Sequence, residues 1–128
     1  MIYLVDDDTD DLEILNEALV ENSYKGPVFA VHNGQALMDR LQSATDKPDV
    51  IILDLNMPLK DGFQALEEIR RMPHMNKIAV IILTASSRKE DEIRCLELGC
   101  NYFFRKPVIM KEYSSLVGIV KKFIAKAA

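Results

Sequence analysis

Tryptophan is missing from this chain of 128 residues, and cysteine, histidine and glycine are sparse at two, two and five. Each scarcity removes a class of protein. Cys95 and Cys100 form neither a CxxC pair nor a disulfide framework, so both are expected as reduced structural thiols. With only five glycines and five prolines the chain is neither collagen-like nor low in complexity, and 48% apolar against 28% charged residues argues against disorder. No apolar stretch nears the roughly 20 residues of a membrane span. The N-terminus enters an apolar run at once, which predicts no signal peptide, no membrane and a cytoplasmic location. Sixteen basic residues against twenty acidic give a net charge of −4, with no electrostatic ground for direct nucleic-acid binding. His32 and His74 stand without paired ligands and receive no role.

What the chain does have is alternation. Short apolar runs at Ile2–Val5, Val28–Val31, Asp49–Leu53, Ile78–Leu83 and Tyr102–Arg105 read as strands. Between them, Leu12, Leu15 and Leu19, then Ala36, Leu37 and Leu41, then Phe63, Leu66 and Ile69 recur at helical spacing. A fourth helix is expected from about Lys89 to Leu98, stopped by Gly99, and a fifth from Lys111 to about Ala127, with Leu116, Val120, Phe123 and Ile124 facing the core. Strands alternating with helices imply a parallel sheet with right-handed crossovers. Five such units fit an α/β fold of flavodoxin-like, doubly wound type, with strand order 2-1-3-4-5 and one domain over residues 1–128.

The chemistry sits where those runs stop. Asp6, Asp7 and Asp8 follow IYLV, Asp54 follows VIIL, Thr84 follows VIIL and Lys106 follows YFFR. In parallel strands of one sheet these groups emerge on a single edge, where open α/β sheets bind ligands. Two carboxylates about 4 Å apart repel by roughly 4 kcal/mol at the effective dielectric near a protein surface. Such a cluster takes up a proton or a cation. Hard oxygen donors favour Mg²⁺, with Mn²⁺ as the alternative, and Mg²⁺ combines one or two carboxylates with phosphate oxygens. Asp8 or Thr9 is suited to cap the first helix, and Asp8, Asp10 and Asp11 are expected to face solvent while favouring its positive end. Asp54 and Lys106, ionised at the ends of buried runs, each need a partner, and a plain ion pair between them is the bland alternative.

The segments LVDDD, IILDLNMPLKDG, ILTAS and FFRKP, in this order and spacing, resemble the receiver domain of two-component response regulators over essentially the whole chain. The resemblance implies that Asp54 accepts a phosphoryl group from a phosphohistidine of a sensor or hybrid histidine kinase, or of a phosphotransfer protein. It implies that Asp6, Asp7, Asp54 and the backbone carbonyl of Asn56 hold Mg²⁺, and that Thr84 and Lys106 contact the phosphoryl oxygens. It places Asn56 and Ser86 beside the path of attacking water, a cis peptide before Pro107, and an aromatic switch on Phe103, where many receivers carry Tyr. Output is expected through Thr84, Phe103 and the surface of the last two helices and last strand, with Tyr102, Arg105, Lys111 and Tyr113 available to an unknown downstream protein or a homodimer. The stretch from MPHMNK to LTASS and the KPV ending resemble single-domain receivers paired with phytochrome-like or hybrid kinases. Such a protein is an acceptor that catalyses only its own phosphorylation and dephosphorylation, not a multiple-turnover enzyme.

Three other readings compete. A phosphohydrolase of the haloacid dehalogenase type also forms an aspartyl-phosphate, but its DxDx[TV] pattern meets Asp10 at the last position, and 128 residues leave no room for the usual cap. A flavodoxin-like phosphate binder needs a hydroxyl- and glycine-rich loop where DDDTDD stands. A degenerate receiver that only binds proteins remains open.

Overall fold

A computed structural model describes residues 1–127. The elements alternate as β1 (Ile2–Val5), α1 (Thr9–Glu21), β2 (Val28–Val31), α2 (Gly34–Ser43), β3 (Val50–Leu53), α3 (Gly62–Arg71), β4 (Ala79–Thr84), α4 (Lys89–Glu97), β5 (Tyr102–Arg105), a short 3₁₀ turn (Met110–Glu112) and α5 (Tyr113–Ala127). The five strands form one parallel sheet in the order β2-β1-β3-β4-β5, the flavodoxin-like arrangement expected from the sequence.

Side chains alternate across a strand, so each strand feeds two cores. Tyr3, Val5, Ile51, Leu53, Val80 and Ile82 point to the face covered by α2, α3 and α4. Ile2, Leu4, Val50, Ile52, Ala79, Ile81 and Leu83 point to the opposite face, covered by α1 and α5. The central strands are buried along their whole length, which is why they read as unbroken apolar runs. The edge strands differ: Phe29 and Ala30 in β2 and Tyr102 and Arg105 in β5 are exposed, because each has a neighbour on one side only.

Helix starts follow local chemistry. Asp8 caps α1 by accepting from the amides of Asp10 and Asp11, Asn33 caps α2 through the Ala36 amide, and Asp61 forms a capping box with Gln64 on α3. Gly99, at φ +98°, stops α4 in the left-handed region that glycine tolerates. The last helix enters through the 3₁₀ turn, two residues later than the spacing suggests. Tyr113, expected on the outer surface, is buried with Leu116 and Val117, because it begins α5 on the side that packs onto the sheet. Tyr102, Arg105 and Lys111 are exposed as expected.

Candidate functional site

The sheet register builds the site. Beyond the last paired residues, the Asp6 amide donates to the Val31 carbonyl and the Asp54 amide to the Val5 carbonyl, both at 3.0 Å. These bonds carry the ladder one residue past β1 and β3, so two carboxylates leave the same edge side by side. Lys106 arrives similarly: its amide donates to the Thr84 carbonyl at 2.8 Å, fastening the end of β5 to the end of β4. Asp6, Asp54 and Thr84 are all buried, while Asp7 is exposed at the rim.

Carboxylate oxygens of Asp6, Asp7 and Asp54 lie within 4.8 Å of one another. The Lys106 ammonium reaches two of them, and Asp11 besides. Its Nζ donates to Asp6 Oδ2 at 2.8 Å, to Asp11 Oδ2 at 2.7 Å and to Asp54 Oδ2 at 3.4 Å. Asp54 Oδ1 accepts from the Leu55 amide at 2.8 Å, and Asp6 Oδ1 from the Asp8 amide at 3.0 Å. Thr84 Oγ1 accepts from the Ser86 amide at 3.3 Å, and the Ser86 hydroxyl donates to Asp91 at 2.6 Å, tying the loop after β4 to α4. Three carboxylates thus contact one ammonium and a fourth, Asp7, stands beside two of them, an imbalance that suits an added cation.

The imbalance shows in the protonation energetics. Burial raises the Asp54 pKa above its ordinary 3.8, and the neighbouring Asp6 charge raises it further, with Lys106 and the Thr84 hydroxyl pulling it part of the way back. Burial alone pushes the Lys106 pKa down. Its hydrogen bonds to Asp11 and Asp6 and the charges of Asp54 and Asp6 more than offset that, so the ammonium is held above the usual lysine range.

Two expectations change here. Asp11, expected in solvent as a helix-end charge, is the shortest-range partner of Lys106. Asp11, Leu15 and Ala18 stand at i, i+4 and i+7, so Asp11 continues the buried stripe of α1 and is carried toward the sheet edge. That spacing was the signal for it. The Lys106–Pro107 peptide is trans, against the expected cis bond, and Lys106 reaches the carboxylates from the trans geometry. Asn56 is exposed on the loop two residues past Asp54. Phe103 is half-buried against the α2–α4 core, whereas Tyr102 shares the opposite face with Phe104, at 6.3 Å between ring centres. His32 and His74 are exposed and lie outside the site.

A doubly wound α/β domain with an acid-and-ammonium cluster at the carboxyl ends of β1, β3 and β5 belongs to the class of open-sheet proteins that carry their functional groups at this edge. The model of the response regulator receiver domain matches residues 2–117, and the chain belongs to that family of two-component signalling proteins. It is 31% identical to the response regulator Rcp1 of Synechocystis, covering 96% of this chain and 87% of that protein. Superposed on the phosphorylated cyanobacterial phytochrome response regulator RcpA it gives a TM-score of 0.87 at 30% identity, covering 99% of this chain and 94% of RcpA. The Mn²⁺-bound form of Rcp1 gives 0.84 at 31% identity, covering 95% and 91% of the two chains. The receiver domain of the sensor histidine kinase PA1611 from Pseudomonas aeruginosa, with magnesium coordinated in its active-site cleft, gives 0.75 at 26%, covering 97% and 96%. Related receivers thus belong to histidine kinase systems, and two of the solved ones hold a divalent ion, Mn²⁺ in Rcp1 and magnesium in PA1611. Among the described residues no helix is long and apolar enough to cross a membrane.

Proposed function

We propose that this chain is a phosphoacceptor switch whose acceptor is Asp54. One observation carries the reading: Asp6, Asp7 and Asp54 converge within 4.8 Å while Lys106 reaches Asp54 at 3.4 Å. The donor is a phosphohistidine of a sensor or hybrid histidine kinase, or of a phosphotransfer protein. A carboxylate oxygen of Asp54 attacks phosphorus, a P–O bond forms as the P–N bond breaks, and the departing imidazole nitrogen keeps the electron pair. The all-oxygen, anionic donor set fits Mg²⁺ or Mn²⁺ on Asp6, Asp7, Asp54 and the Asn56 carbonyl, and the ion would offset charge on the phosphoryl oxygens.

The protein's own groups do the rest. Lys106 supplies a fixed positive charge to the phosphoryl oxygens, and the Thr84 hydroxyl, buried at the end of β4, supplies a hydrogen bond. Asn56 and Ser86 are small and polar, leaving a path for water, so the chain turns over only its own phosphoryl group. Phosphorylation then acts as a ligand that favours one of two conformations. Thr84 and Phe103 link the acceptor to the outer surface of β5 and the helices beside it, where Tyr102, Arg105 and Lys111 stand exposed for a downstream protein or a second copy.

Incubation with phosphoramidate and Mg²⁺, followed by intact mass spectrometry, tests the assignment. One phosphoryl group per chain is expected, lost with EDTA and in Asp54→Asn. Labelling that persists in Asp54→Asn places the acceptor elsewhere, and repeated turnover of a phosphomonoester would favour the hydrolase reading.

A further inference from the structure

An ammonium has three N–H donors, and all three of Lys106 are engaged, by Asp6, Asp11 and Asp54. These acceptors are not equivalent. Asp6 and Asp54 belong to the carboxylate trio that converges on one point, whereas Asp11 lies outside it, on the first turn of α1. Asp11 nevertheless makes the shortest of the three bonds, 2.7 Å against 3.4 Å to Asp54. The ammonium is therefore drawn toward α1 and away from the acceptor.

We propose that Asp11 is a positioning residue that restrains Lys106 and competes with the phosphoryl group for it, setting how readily the site accepts and keeps that group. The proposal rests on Asp54 being the phosphoacceptor. For Lys106 to donate fully to a phosphoryl oxygen on Asp54, the ammonium must move away from Asp11 and lengthen that bond. The Asp11 carboxylate also adds negative charge beside an incoming anion. Both effects oppose phosphoryl binding. The same charge attracts a divalent cation, so removing it moves the two affinities in opposite directions. A residue that merely shaped the first turn of α1 would move both the same way.

The test uses the full chain, wild type against Asp11→Asn, with Asp11→Ala as a second variant that also lacks the hydrogen-bond acceptor. Calorimetry measures Mg²⁺ alone, and fluorine NMR measures beryllofluoride, an imitation of the aspartyl-phosphate, in saturating Mg²⁺. Both variants are expected to bind beryllofluoride about tenfold more tightly, the size of one competing charged hydrogen bond, and Mg²⁺ alone several-fold more weakly. Beryllofluoride affinity unchanged in both variants, or lowered together with Mg²⁺ affinity, overturns the competition. Wild-type protein that binds Mg²⁺ but no beryllofluoride overturns the acceptor reading itself, and the competition with it.

Discussion

Replacing Asp54 with Asn should make the metal-free protein more stable. Asp54 and Asp6 oxygens lie within 4.8 Å, and at an effective dielectric of about 20 their repulsion is about 3.5 kcal/mol. Attraction to Lys106 at 3.4 Å is about 5 kcal/mol on the same scale. The two nearly offset, leaving roughly 1.5 kcal/mol in favour of the anion. Against that stands desolvation, since the Asp54 side chain is only 7% exposed and a buried ion loses several kcal/mol of hydration, whereas a buried amide loses about 1–3 kcal/mol. The balance favours Asn by about 1–2 kcal/mol, or roughly 5 °C in Tm for a domain of this size.

The assay is thermal or urea unfolding followed by far-UV circular dichroism, in EDTA and in Mg²⁺. With Mg²⁺ near a hundred times its Kd, the wild type should gain about 2.7 kcal/mol and Asp54→Asn much less, so the order of stability narrows or reverses. The pH dependence has a defined sign. Asp54 in the folded state has its pKa raised above 3.8 by burial and by Asp6, so the folded protein takes up this proton before the unfolded chain does. The stabilisation from protonated Asp54 is complete below 3.8 and is lost as pH rises through the raised value, so the advantage of Asn should shrink on acidification. An Asp54→Asn protein less stable than wild type in EDTA at neutral pH would refute the reasoning and show that the pair with Lys106 outweighs burial and repulsion.

Two further changes test how the site is held. Gly62 opens α3 against the end of β3, where an added Cβ would strike the Asp54 carbonyl oxygen and lie 2.7 Å from Leu55 Cα, both backbone. Gly62→Ala should therefore cost about 1–3 kcal/mol and weaken Mg²⁺ binding by moving Asp54, as urea unfolding and calorimetry would show. Arg70 on α3 donates to the carbonyls of Gly99, Asn76 and Ile78 and to Asn101 Oδ1, joining the segment that enters β4 to the turn between α4 and β5. Arg70→Ala should cost about 1–3 kcal/mol in urea unfolding while leaving phosphoryl labelling of Asp54 intact, and loss of labelling would contradict its purely structural place.

The strands β1, β3 and β4 were legible because burial on both faces leaves an unbroken apolar run. The polar residue that ends each run then announces the sheet edge, so Asp6, Asp54 and Thr84, with Lys106 after β5, could be grouped from the sequence. The edge strands were recognisable by position and not by burial, since β2 and β5 each expose half their residues. Arg70 gave no signal. An arginine in the last turn of a helix looks solvated until the segments from Asn76 to Asn101 are folded around it.

Asp11 marks a different boundary. Parallel register fixes which strand ends are neighbours, because the ladder repeats along the chain and each run can be counted to its end. How far the first turn of α1 leans over that edge depends on the packing of Leu12, Leu15, Ala18 and Leu19 against the sheet and α5, which no count along the chain supplies. The helical stripe does show that Asp11 turns inward, but only the packed helix puts its carboxylate 2.7 Å from a lysine 95 residues away. Lys106 is thus shared by β1, β3 and α1. The first two attachments follow from the order of strands, and the third, outside the convergent trio of carboxylates, depends on the packing of α1 and makes that packing part of how firmly the ammonium is held.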